Sequence, residues 1–182
     1  MELTVEIAID EQVELCREGD KTAYFEVYNR YAKGMLNSSM RILNNIADAE
    51  DIVQESFIDA FNNLEKFAYR SSFEGWLRRI VINKSISLLR KRKIQWVDAD
   101  ATQLTAPDED RVDEDGFEAD IQKIKAAVLQ LPEHYRVVFN LFVIDEMKQE
   151  EIAALLRISH NNVRTTYHRA RKKVINILNE NK

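Results

Sequence analysis

A chain of 182 residues, 45% hydrophobic and 31% charged, suffices for one domain or two small ones and contains no apolar run approaching a membrane span. Only four Gly and two Pro interrupt long stretches that repeat about every 3.6 residues, which predicts an all-α protein. The one cysteine, Cys16, excludes an internal disulfide framework and fits a reducing cytoplasm, and the acidic N-terminus is no signal peptide.

The net charge of −5 conceals a sharp partition: residues 94–120 hold ten acids and one base, Arg111, leaving +4 for the remainder. Between Gly75 and Val97 there are seven Lys or Arg and no acid, and from His160 onward six against Glu180 alone. Two basic stretches divided by an acidic one suit a polyanionic partner gripped at two places. His134, His160 and His168 are scattered, and neither a second Cys nor a phosphate-cradling glycine loop accompanies them. No enzyme, metal site or cofactor is expected.

In chain order, Cys16 reads as a small buried residue on an N-terminal helix rather than a nucleophile. Asp20 is placed to cap the next helix, whose apolar face is expected to be Phe25, Tyr28, Ala32 and Met35. Another helix is expected to start at Asp48, with Asp51 favouring its N-terminal dipole and Ala49, Val53, Phe57, Ala60, Phe61 and Leu64 facing inward. A loop from Phe67 to Ser72 precedes a long helix from about Phe73 to Lys91.

That helix divides its faces unusually. Leu77, Ile80, Val81 and Leu88 share one stripe, while Trp76, Arg79, Asn83, Ser87 and Arg90 share another. An aromatic among Arg and Asn supplies stacking surface, phosphate counter-charge and base-edge hydrogen bonds, the chemistry that holds single-stranded nucleic acid. Taken alone, the same stripe also fits a surface helix with Trp76 half buried for packing.

Residues 94–120, with their acids, Pro107 and Gly116, lack sustained periodicity and read as a flexible acidic linker. Helices are expected at Ile121–Leu131 and, after the break at Pro132, at Tyr135–Ile144. The chain therefore divides into a helical domain at 1–93, the linker at 94–120 and a second helical domain at 121–182.

The second domain holds a helix-turn-helix between Glu150 and Lys173, reading EEIAALLRISHNNVRTTYHRARKK. Ile152, Ala153 and Leu156 line the inner face of a short first helix. Arg157, Ile158 and Ser159 make the turn, and Ser159 is placed to cap the second helix. Val163, Tyr167, Ala170, Val174 and Leu178 form one apolar stripe along that helix. Roughly opposite stand Asn161, Thr165, His168 and Lys172, flanked by Arg164 and Arg169, a set suited to base edges and phosphates in a major groove. Arg157 occupies a turn position that favours Gly, because the backbone there tends to be left-handed.

Three blocks occur in order: DAEDIVQESFIDAFNNLEKF, then SSFEGWLRRIVINKSISLLRKRK, then LPEHYRVVFNLFVIDEMKQEEIAALLRIS followed by VRTTYHRARKKV. Together they closely resemble bacterial RNA polymerase sigma factors of the sigma-70 superfamily, and the direct joining of two domains resembles the compact extracytoplasmic-function (ECF) group. The resemblance covers about residues 14–93 and 121–178. It implies a promoter-specificity subunit that binds core RNA polymerase and recognises −35 DNA as duplex and −10 DNA as melted strand.

On this resemblance Asp48, Asp51, Gln54, Glu55 and Ile58 would dock on the polymerase beta-prime subunit, with beta a further contact, and an anti-sigma factor is an expected partner. Phe67, Ser72, Trp76, Arg79, Asn83, Ser87 and Arg90 would serve the −10 element. Asn161, Arg164, Thr165, His168, Arg169, Arg171 and Lys172 would read the −35 element. The linker would either tether the domains or thread near the RNA path of the polymerase. Three residues depart from the family's habit. Ser87 stands where Asp is common, Thr166 where a basic residue is frequent, and Lys148 where Ser commonly caps the first short helix. Two other functions fit parts of the pattern: a stand-alone helix-turn-helix regulator, and a sigma mimic that sequesters an anti-sigma factor. The first has no use for the Trp76 face, and the second has no need of the basic contact residues kept here.

Overall fold

The computed structural model describes residues 9–92 and 121–180, so the expectation of a linker at 94–120 lies outside the described residues. The described chain is all helix and turn. It consists of α1 (Ile9–Arg17), α2 (Lys21–Leu43), α3 (Ile46–Asn62), a 3-10 turn (Leu64–Lys66), α4 (Phe73–Lys91), α5 (Ile121–Leu129), α6 (Glu133–Val143), α7 (Gln149–Leu156) and α8 (His160–Glu180). The helices fall into two compact units, the first ending at Leu89 and the second beginning at Arg90.

In the first unit the chain punctuates itself with short polar side chains. The Asp20 carboxylate accepts from the backbone N–H groups of Thr22 at 2.7 Å and Ala23 at 2.9 Å, starting α2. Asn44 takes the left-handed conformation (φ 50°) that ends α2, and its N–H donates to Met40 O. Asn45 then caps α3 by accepting from Asp48 N at 3.1 Å. Asp48 therefore sits inside the first turn rather than starting the helix, because the asparagine ahead of it supplies the capping oxygen.

The face of α2 also differs from the expectation. Phe25 is 66% exposed and Tyr28 37%, whereas Ala23, Val27, Met35, Ser38, Ser39 and Ile42 are buried. Tyr24 and Tyr28 lie on the seam with α3, their ring centroids 4.7 Å from Phe61 and 4.8 Å from Phe57. Serines replace the rings in the interior because their hydroxyls are satisfied locally. Ser85 donates to Val81 O at 2.8 Å and Ser56 to Ile52 O at 2.6 Å, and the Ser39 and Ser85 hydroxyls meet at 3.1 Å. The Ser39–Ser85 contact brings α2 to α4, whose Leu77, Val81, Ile86 and Leu89 are each fully enclosed.

In the second unit Ala127, Val128, Leu131, Tyr135, Phe139, Ala170 and Val174 form the core that binds α5 and α6 to α8. Helix α5 ends at Leu129, two residues short of the expected Leu131, and α6 begins at Glu133 directly after Pro132. Arg136 is buried, with Nη1 donating to Leu131 O at 3.3 Å and Nη2 lying 3.8 Å from Glu133. Desolvation lowers its pKa, opposed by the Glu133 charge, and the guanidinium remains the staple of the turn before α6. Lys148 offers no capping side chain; Glu151 instead reaches back to accept from Lys148 N at 3.2 Å.

The turn between α7 and α8 matches the sequence expectation closely. Arg157 adopts φ 58°, ψ 43° and its N–H donates to Ala153 O. Ser159 Oγ accepts from Asn162 N at 3.1 Å. Since a β-carbon in the left-handed region costs about 1 kcal/mol, Arg157→Gly should stabilise the second unit by up to that amount, and Arg157→Val should destabilise it. Urea unfolding followed by circular dichroism and by amide exchange in α7 and α8 checks the sign.

Cys16 is 1% exposed, and burial, reinforced by Asp20, pushes its thiol up to about 11. At pH 8 the thiolate fraction falls about a hundredfold below that of the unfolded chain. Iodoacetamide labelling of the native chain should be slower by at least that factor, and equal rates with and without urea would contradict the burial.

Candidate nucleic-acid interface

The loop that enters α4 is built on an aromatic cluster. Phe67 and Phe73 are buried, and the Phe67 centroid lies 5.5 Å from Phe73, 5.4 Å from Trp76 and 4.5 Å from Tyr69. Phe67, expected to touch DNA, is only 2% exposed. Its ring is consumed in holding the loop down, so its place is one of support instead of contact. Ser72 Oγ accepts from Gly75 N at 3.1 Å and so starts α4, leaving its hydroxyl hydrogen for a partner. A β-carbon at residue 75 would crowd that oxygen at 3.2 Å.

Along α4, Trp76 is half buried against Phe67 and Phe73, while Arg79, Asn83 and Ser87 are exposed and Arg90 is partly exposed. The helix thus brings these five residues to one solvent-facing stripe, with the indole anchored at the loop end. Trp76 packs on both phenylalanine rings and remains partly exposed.

On α3, Asp51, Gln54, Glu55 and Ile58 are exposed, Ile58 by 59%, and Asp48 is partly exposed. A cation not singled out in the sequence intervenes here. Lys84 of α4 reaches Asp59 at 2.7 Å and Glu55 at 3.3 Å. Its pKa is raised, chiefly by the hydrogen bond to Asp59, against a desolvation effect that lowers it. The pairing links the acidic face of α3 to the basic helix behind it. Spacing within α4 alone gives no sign of Lys84's role, since its partners lie on another helix.

In the second unit the face of α8 opposite its core carries Asn161, Arg164, His168 and Lys172, all exposed, with Thr165, Arg169 and Arg171 partly exposed. Thr166, where the family frequently has a basic residue, is buried (7% exposed) and lies with Val163 and Ala170 on the inner side. Beside this face Arg169, Lys172, Lys173 and Asn176 border a cleft of about 580 Å³ completed by Pro132, His134 and Tyr135. Lys173 Nζ stands 5.6 Å from the Tyr135 ring centroid. Lys173 escapes sequence reasoning because the apolar stripe, not the cleft, defines the helix faces there. No helix among the described residues is long and apolar enough to cross a membrane, and among them no cluster of His, Cys, Asp or Glu could hold a metal ion.

The family described as Sigma-70 region 2 matches residues 27–94, and Sigma-70, region 4 matches residues 121–174. The chain is 32% identical over 181 residues to the ECF RNA polymerase sigma factor SigW of Bacillus subtilis, covering 92% of this chain and 95% of that relative. It is 30% identical over 175 residues to the RNA polymerase sigma-H factor of Pseudomonas aeruginosa, with 89% of each chain covered. Among solved structures, the sigma factor RpoE of Bartonella quintana, crystallised with the anti-sigma factor NepR, shares the fold with a TM-score of 0.54 at 21% identity, over 87% of this chain and 98% of that one. CnrH in complex with the cytosolic domain of CnrY gives a TM-score of 0.53 at 22% identity, over 94% and 97%. With both regions matched in the expected order and a relative aligned over nearly its whole length, the chain belongs to the ECF group of RNA polymerase sigma factors in the sigma-70 superfamily, the specificity subunits of transcription initiation.

Proposed function

We propose that the two units divide promoter recognition between melted and duplex DNA. The observation that supports this division is a pair of exposed faces of different chemistry. The α4 face joins a half-buried indole to Arg79, Asn83, Ser87 and Arg90, whereas the α8 face is a groove-sized helix of Asn161, Arg164, Thr165, His168, Arg169, Arg171 and Lys172. The first offers a stacking surface for unpaired bases. The second presents amide, hydroxyl and imidazole groups to base edges, framed by cations for phosphates.

Core RNA polymerase docks on the outer face of α3. Asp48, Asp51, Gln54 and Glu55 offer carboxylates and an amide to basic side chains, and exposed Ile58 offers an apolar edge. Lys84 holds Glu55 and Asp59 in place before the partner arrives, reducing the ordering cost of docking. The beta-prime subunit is the proposed main contact, with beta a second. Unstacking of −10 DNA costs a few kcal/mol, which the α4 face and the loop before it help offset. The chain acts in the cytoplasm, supplies no catalytic group of its own, and is held inactive by an anti-sigma factor.

Transcription by core polymerase from a library of promoter DNA, with and without this chain, tests the proposal. Specific transcripts should appear only with the chain; tight binding of duplex without any gain in initiation would favour a stand-alone regulator. Within that assay, Trp76→Ala should impair promoter opening more than duplex binding. Arg164→Ala should do the reverse, and the slope of log affinity against log salt should become shallower by about one if Arg164 meets a phosphate. Permanganate footprinting measures opening, and fluorescence anisotropy of a −35 duplex on the holoenzyme measures binding. Equal effects of both substitutions in both assays would defeat the division of labour.

A further inference from the structure

Helix α1 lies ahead of the first matched family region, which begins at residue 27, and the proposed function gives it no task. Val13 and Cys16 are buried in the core and the Tyr24 hydroxyl donates to Cys16 O at 2.7 Å, which suffices to seat the helix. Its last residue does something else. Arg17 donates from Nη2 to Leu64 O at 3.0 Å and to Phe67 O at 2.7 Å, gripping the 3-10 turn and the start of the loop. Its Nη1 meets Glu14 at 2.7 Å, and its guanidinium carbon stands 5.2 Å from the centroid of the Tyr69 ring. The Tyr69 hydroxyl donates to the same Glu14 carboxylate.

Tyr69 is the strained residue of this loop. Its φ of 55° lies in the left-handed region, which a tyrosine occupies only when its surroundings hold it there. The residue is nevertheless 41% exposed, with its ring 4.5 Å from that of Phe67, which in turn meets Trp76. Partial desolvation, then the bond to Glu14, raises the phenol's pKa, so the hydroxyl remains a donor to that carboxylate.

We infer that α1 is a positioning element for the −10 loop: Arg17 and Glu14 hold Tyr69 in its left-handed conformation so that its exposed ring stacks on an unpaired base, an inference that rests on the loop's proposed role. Arg17 suits the task because a forked guanidinium bridges two carbonyls and a carboxylate at once, which a lysine ammonium cannot do with the same geometry. The ring adds a stacking surface near Trp76, and stacking tolerates any base.

The test uses holoenzyme assembled from core polymerase and the full chain. The probe is a single strand carrying a −10 sequence recovered from the promoter library, with 2-aminopurine replacing each base in turn. The wild-type chain should quench the fluorophore at one position. Arg17→Ala and Tyr69→Ala should each weaken single-strand binding about tenfold and abolish that quench. Tyr69→Phe should keep the quench at the same position with a smaller loss of affinity, and Arg17→Lys should fall between wild type and Arg17→Ala. Affinity for a −35 duplex should stay unchanged throughout. Wild-type quench and affinity in Arg17→Ala would overturn the inference, as would equal losses on both probes. If Arg17→Ala lowers the thermal unfolding midpoint, the surface change Tyr69→Ala decides, and an undiminished quench there overturns the inference. Absence of any quench with the wild-type chain would instead sink the loop's proposed role itself.

Discussion

Burial of Phe67 and Phe73 beneath the chain between α3 and α4 fixes where the exposed stripe of α4 and the loop before it can stand. With those two rings enclosed, Trp76 must lie against them on one side and solvent on the other, and Tyr69 is carried to the surface by the loop that Phe67 pins. Ser72 then starts α4 at a defined point, so the stripe of Arg79, Asn83, Ser87 and Arg90 inherits its direction from the aromatic cluster. An exposed loop is ordinarily among the most mobile parts of a molecule; here enclosed rings and a cation bridging two carbonyls oppose that tendency.

The second unit obtains its geometry by a different route. Its core is the contact of α5 and α6 with the inner stripe of α8, and the short α7 is oriented by a three-residue turn with a left-handed arginine at its start. The stripe of α8 is narrow enough to leave Asn161, Arg164, His168 and Lys172 exposed on its other side. Thr166, a polar residue on the inner stripe, shows that position around the helix decides a side chain's task before chemistry does.

Charge completes the division between the faces. A net charge of −5 would repel DNA if spread evenly. Instead the acids of α3 occupy a face of their own, tied at Glu55 and Asp59 to Lys84, while the cations of α8 face outward beside amides and hydroxyls. Such surface pairs add little stability.

Local sequence was enough to specify the helices, the caps at Asp20 and Ser159 and the helix-turn-helix. Asp20, Ser159 and the left-handed Arg157 act over three or four residues, and the α8 stripe comes from periodicity alone. On α4, by contrast, the expected Ile80 and Leu88 are only partly buried, and Ile82, Ile86 and Leu89 are enclosed instead. Family membership was equally legible, because three ordered blocks are a statement about sequence. Long-range packing selected which of two offset stripes of α2 faces inward, exposing Phe25 and Tyr28 while enclosing serines. It also made Phe67 a support, set Lys84 against the acids of another helix, and let Arg17 reach residues 47 and 50 positions away. The physical reason is common to all four: periodicity and capping are local, whereas burial and ion pairing depend on neighbours that only the folded chain brings together.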